Sequence, residues 1–478
     1  MNDTESPEAV KNKALHQKLL SFPDTDAGNA EAFALLYGEK FRYDRGRGKW
    51  LIWNGRYWEA DDKGEVERAA LATVRLRRAA AALIDDHKEA DERLRWALRS
   101  ESASFRESML KSAKSTEPFA TTSDEYDIDI SLLTVGNGTL DLGSGEIFSA
   151  RPRDLITRAT DVVYEKNASC RRWRLFLREI FAGDDELIDF IQRAVGYSLT
   201  GDVREQCLFI LFGQGANGKT TFLETVLRLL GTHAVTTAFS AFLAQRSPGL
   251  PRNDLATLRG ARFVKAAEAE HQARLDESVV KQLTGGDTIS ARFLYHEQFS
   301  FRPQFKIWLA TNHKPDIRGT DIAIWRRIRL IPFTRQFDTK PDRALLGKLE
   351  AELEGILRWA VEGCLSWLKN GLGVAQTVEA ATQEYKQESD QFGRFLEERC
   401  AREKRFRTSG KNLYEAYAKW CVSSGEKLAS NSNFAAALVE RGISKKRGRK
   451  GVVYEGLGLL PATLQASAIP PLSKEKGR

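Results

Sequence analysis

Apolar positions change their period several times along the chain, and each change marks an element. Between Lys40 and Asp61, aromatic and polar residues alternate around the dipeptide Asn54-Gly55. An Asn-Gly pair adopts left-handed backbone readily, so the pattern predicts a β-hairpin over Trp50–Glu59 closed by a two-residue turn. Trp50, Trp53 and Trp58 are expected to form the core of a small domain, although such rings can also stack on bases. Ala, Leu, Arg and Glu at helical spacing predict helix through residues 64–115. Leu132–Phe148 reads as short strands and turns, and Trp173–Tyr197 as helix. The first thirty residues are polar and expected to be frayed.

From residue 203 to 335, strand-like apolar runs alternate with helical segments: QCLFILFG, ARFVKAAEAE, FKIWLATN and RIRLIPF. Such alternation predicts an α/β sheet domain. Residues 342–400 read as mostly helical, a compact unit follows from about 405 to 460, and the tail PATLQASAIPPLSKEKGR is expected to be disordered. No internal repeat is visible.

Bulk properties narrow the picture little. A chain of 478 residues can hold two to four domains. Its net charge of +8 and pI of about 9.1 lean towards polyanions without proving a partner. Cys170, Cys207, Cys364, Cys400 and Cys421 are scattered with no CxxC pair, which argues against disulfides and zinc and for buried thiols. No apolar run reaches membrane length and the N-terminus lacks a signal-peptide core, so no membrane partner and a cytoplasmic location are expected.

Chemistry enters at Gly213-Gln214-Gly215-Ala216-Asn217-Gly218-Lys219-Thr220, followed by Thr221. The octet matches the Walker A pattern, with an apolar strand before it and a helical run after it. Glycines let successive N–H groups face phosphate oxygens, and the helix N-terminus adds its dipole. Lys219 can bridge the β- and γ-phosphates of ATP, and Thr220 can ligate Mg²⁺. Glu268 and Glu270 follow the next strand-like run. One can hold Mg²⁺ while the other orients or deprotonates water, and spacing does not assign them. Asn312 ends a third run, where an amide can contact the γ-phosphate or the water. Arg326 and Arg327 precede the last run, where ring-shaped ATPases place an arginine finger.

Near the C-terminus, helix, turn, helix, basic turn and strand follow in order, the pattern of a winged helix. Asn431-Ser432-Asn433 is expected to cap a helix over Phe434–Arg441 that Gly442 ends. Lys445, Lys446, Arg447, Arg449 and Lys450 form the turn, placed to meet DNA phosphates, with Val452–Leu457 as the strand.

With these elements in this order, the chain resembles a superfamily 3 helicase, and more narrowly the C-terminal part of phage and plasmid primase–helicases related to the poxvirus type. The stretches AVGYSLTGDVREQCLFILFGQGANGKTTF, KQLTGGDTISARFLYHEQFSFRPQF, WLATNHKPDIRGTDIAIWRRIRLIPF and LYEAYAKWCVSSGE carry the likeness. The resemblance implies a mixed α/β architecture: an AAA+-like P-loop core with an N-terminal α+β domain and a C-terminal winged helix. Residues 1–30 are then a flexible segment, 31–170 the N-terminal domain, 171–385 the ATPase, 386–460 the winged helix and 461–478 the tail. It implies an ATP hydrolase that unwinds DNA as a homo-hexamer on single-stranded or forked DNA, in a bacterial host cytoplasm. Gly213, Gly215, Gly218, Lys219 and Thr220 become Walker A, Glu268 and Glu270 the acidic motif, and Asn312 the sensor. Arg326 becomes the finger, with Arg327 in reserve. A hairpin facing the ring channel is expected to carry Tyr295 and His296, with Tyr295 replacing the lysine of viral relatives, and Lys281 and Arg292 flank it. Family members often carry an N-terminal primase domain, for which this chain has no room before the hairpin region. The Asp127–Asp129 stretch lacks the rest of a polymerase metal site. No primer synthesis is therefore expected, and a separate primase or polymerase becomes a candidate partner. The alternative is an initiator or loader that uses ATP only to assemble on DNA.

Overall fold

The computed structural model describes residues 7–243, 253–267, 274–292, 298–317, 322–337, 342–448 and 451–461. Helices α1 (Pro7–Leu20) and α2 (Asp26–Tyr37) lead into strands β1 (Phe41–Asp44), β2 (Lys49–Trp53) and β3 (Trp58–Ala60). Helices α3 (Glu65–Ala81), α4 (His87–Ser100) and α5 (Ala103–Ala113) follow, then β4 (Ala120–Thr121), giving a sheet ordered β3-β2-β1-β4. The expectation of a frayed start is corrected over α1. Leu19 is fully buried with Ala32 and Ala80, and Leu15, Leu20 and Phe22 pack beside it. A narrow apolar stripe suffices to dock a mostly polar helix.

The hairpin forms, but its turn differs from the two-residue expectation. Trp53 pairs with Trp58, leaving four residues between them. The Asn54 side-chain oxygen accepts from the N–H groups of Arg56 and Tyr57, both at 3.0 Å, so asparagine makes the turn with its amide. The tryptophans pack as core: Trp58 is fully buried and donates to the Pro152 carbonyl at 2.8 Å, while Trp50 meets Phe33 and Phe119 edge-on.

Strands β5 (Leu132–Val135), β6 (Gly138–Asp141) and β7 (Glu146–Phe148) make an antiparallel meander before helices α6 (Arg171–Ile180) and α7 (Asp185–Leu199). Leu133, Val135, Leu140 and Leu142 share one continuous core with α6, α7 and the central sheet. The boundary expected at residue 170 therefore falls inside a packed core, because the meander buries its apolar face against those two helices and the sheet. Asp127 accepts from the N–H of Thr157 at 2.8 Å and Asp129 from that of Ser131 at 2.9 Å.

The central sheet comes from β8 (Leu208–Phe212), α8 (Lys219–Leu230), β9 (Ala234–Ala238), α9 (Asn253–Ala256), β10 (Phe263–Ala267), α10 (Glu277–Gly285), β11 (Ile289–Arg292), β12 (Gln298–Phe301), β13 (Lys306–Thr311), α11 (Ile322–Trp325) and β14 (Ile328–Pro332). Its order is β14-β8-β13-β10-β9 and every neighbouring pair is parallel. Leu208 to Leu211 are all buried, as a parallel strand covered on both faces requires. Strands β11 and β12 form a separate antiparallel pair. At the N-terminal edge of the sheet, buried Arg262 donates to the carbonyls of Leu132 at 2.6 Å and Leu199 at 2.7 Å, bolting the meander and α7 to it. Burial lowers the Arg262 pKa to about 10, and the two carbonyls compensate part of that cost.

Helices α12 (Leu345–Glu350), α13 (Leu353–Asn370) and α14 (Gln376–Ser389) close the central unit. Helices α7 and α13 meet through glycines. A Cβ on Gly196 would lie 2.1 Å from the Cys364 nitrogen, and one on Gly363 would lie 2.1 Å from the Gln192 carbonyl oxygen. The terminal unit holds α15 (Gln391–Arg399), β15 (Cys400–Ser409), α16 (Gly410–Ser424), α17 (Asn431–Glu440), β16 (Ser444–Gly448) and β17 (Gly451–Leu459). Its antiparallel sheet is ordered β15-β17-β16 around its own core.

Two expectations change in this unit. Ser430, not the Asn431–Asn433 triplet, caps α17, accepting from the Asn433 N–H at 3.2 Å. Lys445, Lys446 and Arg447 lie on strand β16 rather than in a turn, because β17 offers them a full pairing edge. All five cysteines are buried free thiols, as expected. Among the described residues no helix is long and apolar enough to cross a membrane. Since overpacking a closed contact costs about 1–3 kcal/mol, Gly363→Leu is expected to lower the melting temperature by at least about 2 °C, read by calorimetry. An unchanged melting curve would contradict the close crossing.

Candidate active site

Parallel strands carry the loops at their C-terminal ends to one edge of a sheet. Here β8 runs straight into the Gly213–Gly218 loop, and α8 begins at Lys219. Ala216 (φ 55°) and Gly218 (φ 88°) take left-handed backbone, which curls the loop. A Cβ on Gly218 would also lie 2.7 Å from Ile180, so close packing against α6 adds a second reason for glycine there. The loop is tethered from beneath. Asn217, buried, donates to the carbonyls of Gln214 at 3.1 Å and Phe333 at 3.4 Å, and the Phe337 N–H donates to Ala216 at 3.0 Å.

Lys219 is only 6 % exposed. Its Nζ donates to the Gly213 carbonyl, to Asn217 Oδ1 at 3.1 Å and to Asn312 Oδ1 at 3.2 Å. Burial lowers its pKa, because none of these neutral oxygens replaces the lost hydration of a full charge. Asn312 comes from the end of β13, the strand beside β8, so 93 residues of sequence separate two groups in contact. Gln214, Gly215 and Thr220 are exposed at the mouth of the loop, and Thr221 is half-buried on the first turn of α8. Glu268 and Glu270 lie outside the described residues. They follow Ala267, which ends β10 opposite Ala310 of β13, two residues before Asn312.

The paired arginines separate cleanly. Arg327 is buried, donating to Thr284 Oγ1 at 3.1 Å, the Ala323 carbonyl at 2.6 Å and Gln206 Oε1 at 3.3 Å. Arg326 is exposed, with a single bond to Gln206 Oε1 at 3.4 Å. It precedes β14, whose first residue Ile328 pairs with Leu208, the first residue of β8. Arg326 therefore sits at the sheet edge opposite the glycine loop, a strand length of about 13 Å or more away.

Of the other expected residues, Lys281 is half-buried on α10, and Arg292 is exposed at the end of β11. Tyr295, His296, Arg449 and Lys450 lie outside the described residues. Lys445, Lys446 and Arg447 are exposed on β16, far along the chain from the loop. Beside the loop lies a cavity of about 400 Å³, lined by Phe212, Gly213 and Gln214 on one side and by Lys314, Pro332 and Glu384 among others. Lys314 stands over the Phe212 ring at 5.1 Å and pairs with Glu388 at 2.5 Å. The sequence reading missed this cavity. It exists only because α14 folds back onto β14, and no local pattern signals that return.

Residues 30–182 match the family described as D5 N terminal like, and residues 211–327 match a family of unknown function, DUF5906. "Putative helicase L207/L206" of Acanthamoeba polyphaga mimivirus is 28% identical over 317 residues, 61% of this chain and 33% of that protein. "Putative primase C962R" of African swine fever virus is 24% identical over 317 residues, 60% of this chain and 33% of that protein. Together these matches support a phage or viral primase–helicase family for this chain. It spans about a third of the length of these curated relatives. A solved structure, the apo form of the NrS-1 C terminal region, shares the fold of this chain, with a TM-score of 0.51 at 11% identity. The match covers 90% of this chain and 99% of that one.

The arginines give this protein a direct test of structure. Arg327→Ala leaves the buried Thr284 hydroxyl oxygen without its donor and Gln206 Oε1 with only the bond from Arg326, a loss of about 1–3 kcal/mol. It is expected to lower the melting temperature measurably, whereas Arg326→Ala leaves it unchanged. Equal destabilisation by both would contradict the distinction.

Proposed function

We propose that this protein is an ATP-dependent DNA helicase that works as a homo-hexamer, translocating on single-stranded DNA at a fork by hydrolysing ATP. The observation that carries the reading is the meeting of Lys219 Nζ with Asn312 Oδ1 at 3.2 Å beneath a glycine loop, while Arg326 stands exposed at the opposite sheet edge. The strand order β14-β8-β13-β10-β9 supports an AAA+-like P-loop core within residues 171–385. The helices and three-stranded sheet of the terminal unit support a winged helix that contacts DNA.

On this reading the loop N–H groups from Gly213 to Thr221 cradle the phosphates, and the cavity beside Phe212 takes the base and ribose. Lys219 exchanges its neutral partners for the charged β- and γ-phosphates, a stronger interaction for an ammonium held in a buried place. The exposed Thr220 hydroxyl is an oxygen donor that suits a hard cation, and Glu268 and Glu270, next in sequence after β10, are the carboxylates we assign to it. When bound, Mg²⁺ would supply charge neutralisation at the phosphates. One of Glu268 and Glu270 orients or deprotonates the attacking water, and Asn312 holds the γ-phosphate or that water in line. Arg326 completes the site of the neighbouring copy, since it faces away from its own. The β11–β12 pair supports a hairpin that touches DNA through the linking residues Tyr295 and His296, with Lys281 and Arg292 beside it.

Two measurements test this. Lys219→Ala is expected to abolish ATP hydrolysis, and Arg326→Ala to reduce it on the order of 10³-fold while fluorescent ATP analogues still bind. Intact turnover in Arg326→Ala would sink the finger assignment. In the second, the wild-type protein is expected to separate a forked duplex only with ATP and Mg²⁺. Tight binding and ATP hydrolysis without strand separation would instead favour a loader.

A further inference from the structure

In the terminal unit, positive charge collects on the sheet and is absent from the second helix of the helix–turn–helix pair. Helix α17 contains no lysine or arginine, and its exposed positions include Asn433, Ala436, Val439 and Glu440. The two outer strands are the reverse. Lys404, Arg405 and Arg407 on β15 and Lys445, Lys446 and Arg447 on β16 are all exposed.

Register places cations from both strands on one face. Glu455 of the central strand β17 pairs with Arg407 at 3.5 Å and with Lys446 at 2.7 Å. Its neighbour Tyr454 points the other way, into the core of the unit. Strands two apart in a sheet lie about 10 Å from each other, so the face spans a width that a sugar–phosphate backbone can follow. Strand β15 also leaves its register. Between Arg402 and Arg407, the four residues from Glu403 to Phe406 stand opposite Gly456 alone. The Phe406 ring packs back against Gly458, and Arg405 pairs with Glu403 at 2.6 Å on this excursion. Lys404 holds no carboxylate among the described residues, which leaves it available to phosphates, while Lys445 and Arg447 lie opposite Tyr454 and Val452 on the other face.

We propose that the terminal unit grips the sugar–phosphate backbone of DNA with this sheet face, β15 included, and that α17 reads no bases. The inference rests on the DNA-binding reading above and assigns that binding a surface and a class of recognition. Base readout from a helix requires flanking phosphate anchors to hold it in a groove. Helix α17 has none and would bring Glu440 towards the phosphates. Backbone contact by lysine and arginine is instead independent of sequence and falls steeply with salt.

The test uses the full chain with the pairs Lys404→Ala/Arg405→Ala and Arg407→Ala/Lys446→Ala, and Asn433→Ala as the helix variant. Fluorescence anisotropy reads binding to forked DNAs with A·T-rich and G·C-rich duplex arms across a salt series. Each double variant is expected to lower affinity at least about fivefold on both sequences and to cut the salt slope by roughly 2. Asn433→Ala is expected to change neither. Wild-type binding by the β15 pair overturns the proposal, as does a sequence preference that Asn433→Ala removes. A melting curve confirms that each variant is folded, and Lys404→Gln/Arg405→Gln replaces the alanine pair if that one is not. Absence of DNA binding in the wild type would bring down the helicase reading as well. Binding that survives the β15 pair brings down only this inference.

Discussion

Parallel pairing of β8 with both β13 and β14 is the constraint on which the rest of the site depends. It fixes the glycine loop and Asn312 at one edge, since Phe212 and Thr311 lie side by side. It fixes Arg326 at the other edge, since Ile328 lies beside Leu208. The strands between are buried and closely packed, so the two edges keep their separation. On the proposed function, Arg326 serves a phosphate at the loop edge by belonging to a different copy. The division of Arg326 and Arg327 arises from the same place in the fold. One side chain is spent inside, on Thr284, Ala323 and Gln206, and the other is left outside.

Charge burial shows where function imposes a cost. Arg262 is buried with two backbone carbonyls as partners and acts as a bolt between the meander and the sheet. Lys219 is buried with three neutral oxygens around it, and none of them carries a charge to balance the ammonium. A structural lysine could be replaced by an apolar residue with little loss. A lysine held this way at the base of a glycine loop makes sense when an anion completes its shell.

Much of the central sheet was legible in the sequence because buried parallel strands are nearly continuous apolar runs. Strands β8, β10, β13 and β14 announce themselves in that way. Strand β9 does not, since AVTTA at the sheet edge is half polar and only partly buried. Helix α1 hid in a polar segment that needs only Leu15, Leu19 and Leu20 to dock. Strand β15 hid because Arg402–Arg407 is charged and irregular, and it becomes a strand only by pairing with β17, fifty residues on. At the site, the loop motif was readable from local spacing. The contact of Lys219 with Asn312, the opposite fates of two adjacent arginines and the cavity under α14 are tertiary facts that no local pattern encodes.

Completion of each site by a second copy is the central claim. Mixing Lys219→Ala with Arg326→Ala subunits tests it most directly, with ATP hydrolysis measured as the ratio is varied. Each variant alone is inactive on this account. Mixed assemblies should regain turnover that peaks near equal proportions, because some interfaces then join an intact Lys219 to an intact Arg326. Mixtures that stay inactive although the subunits co-assemble would contradict it, as would an Arg326→Ala protein that hydrolyses ATP alone.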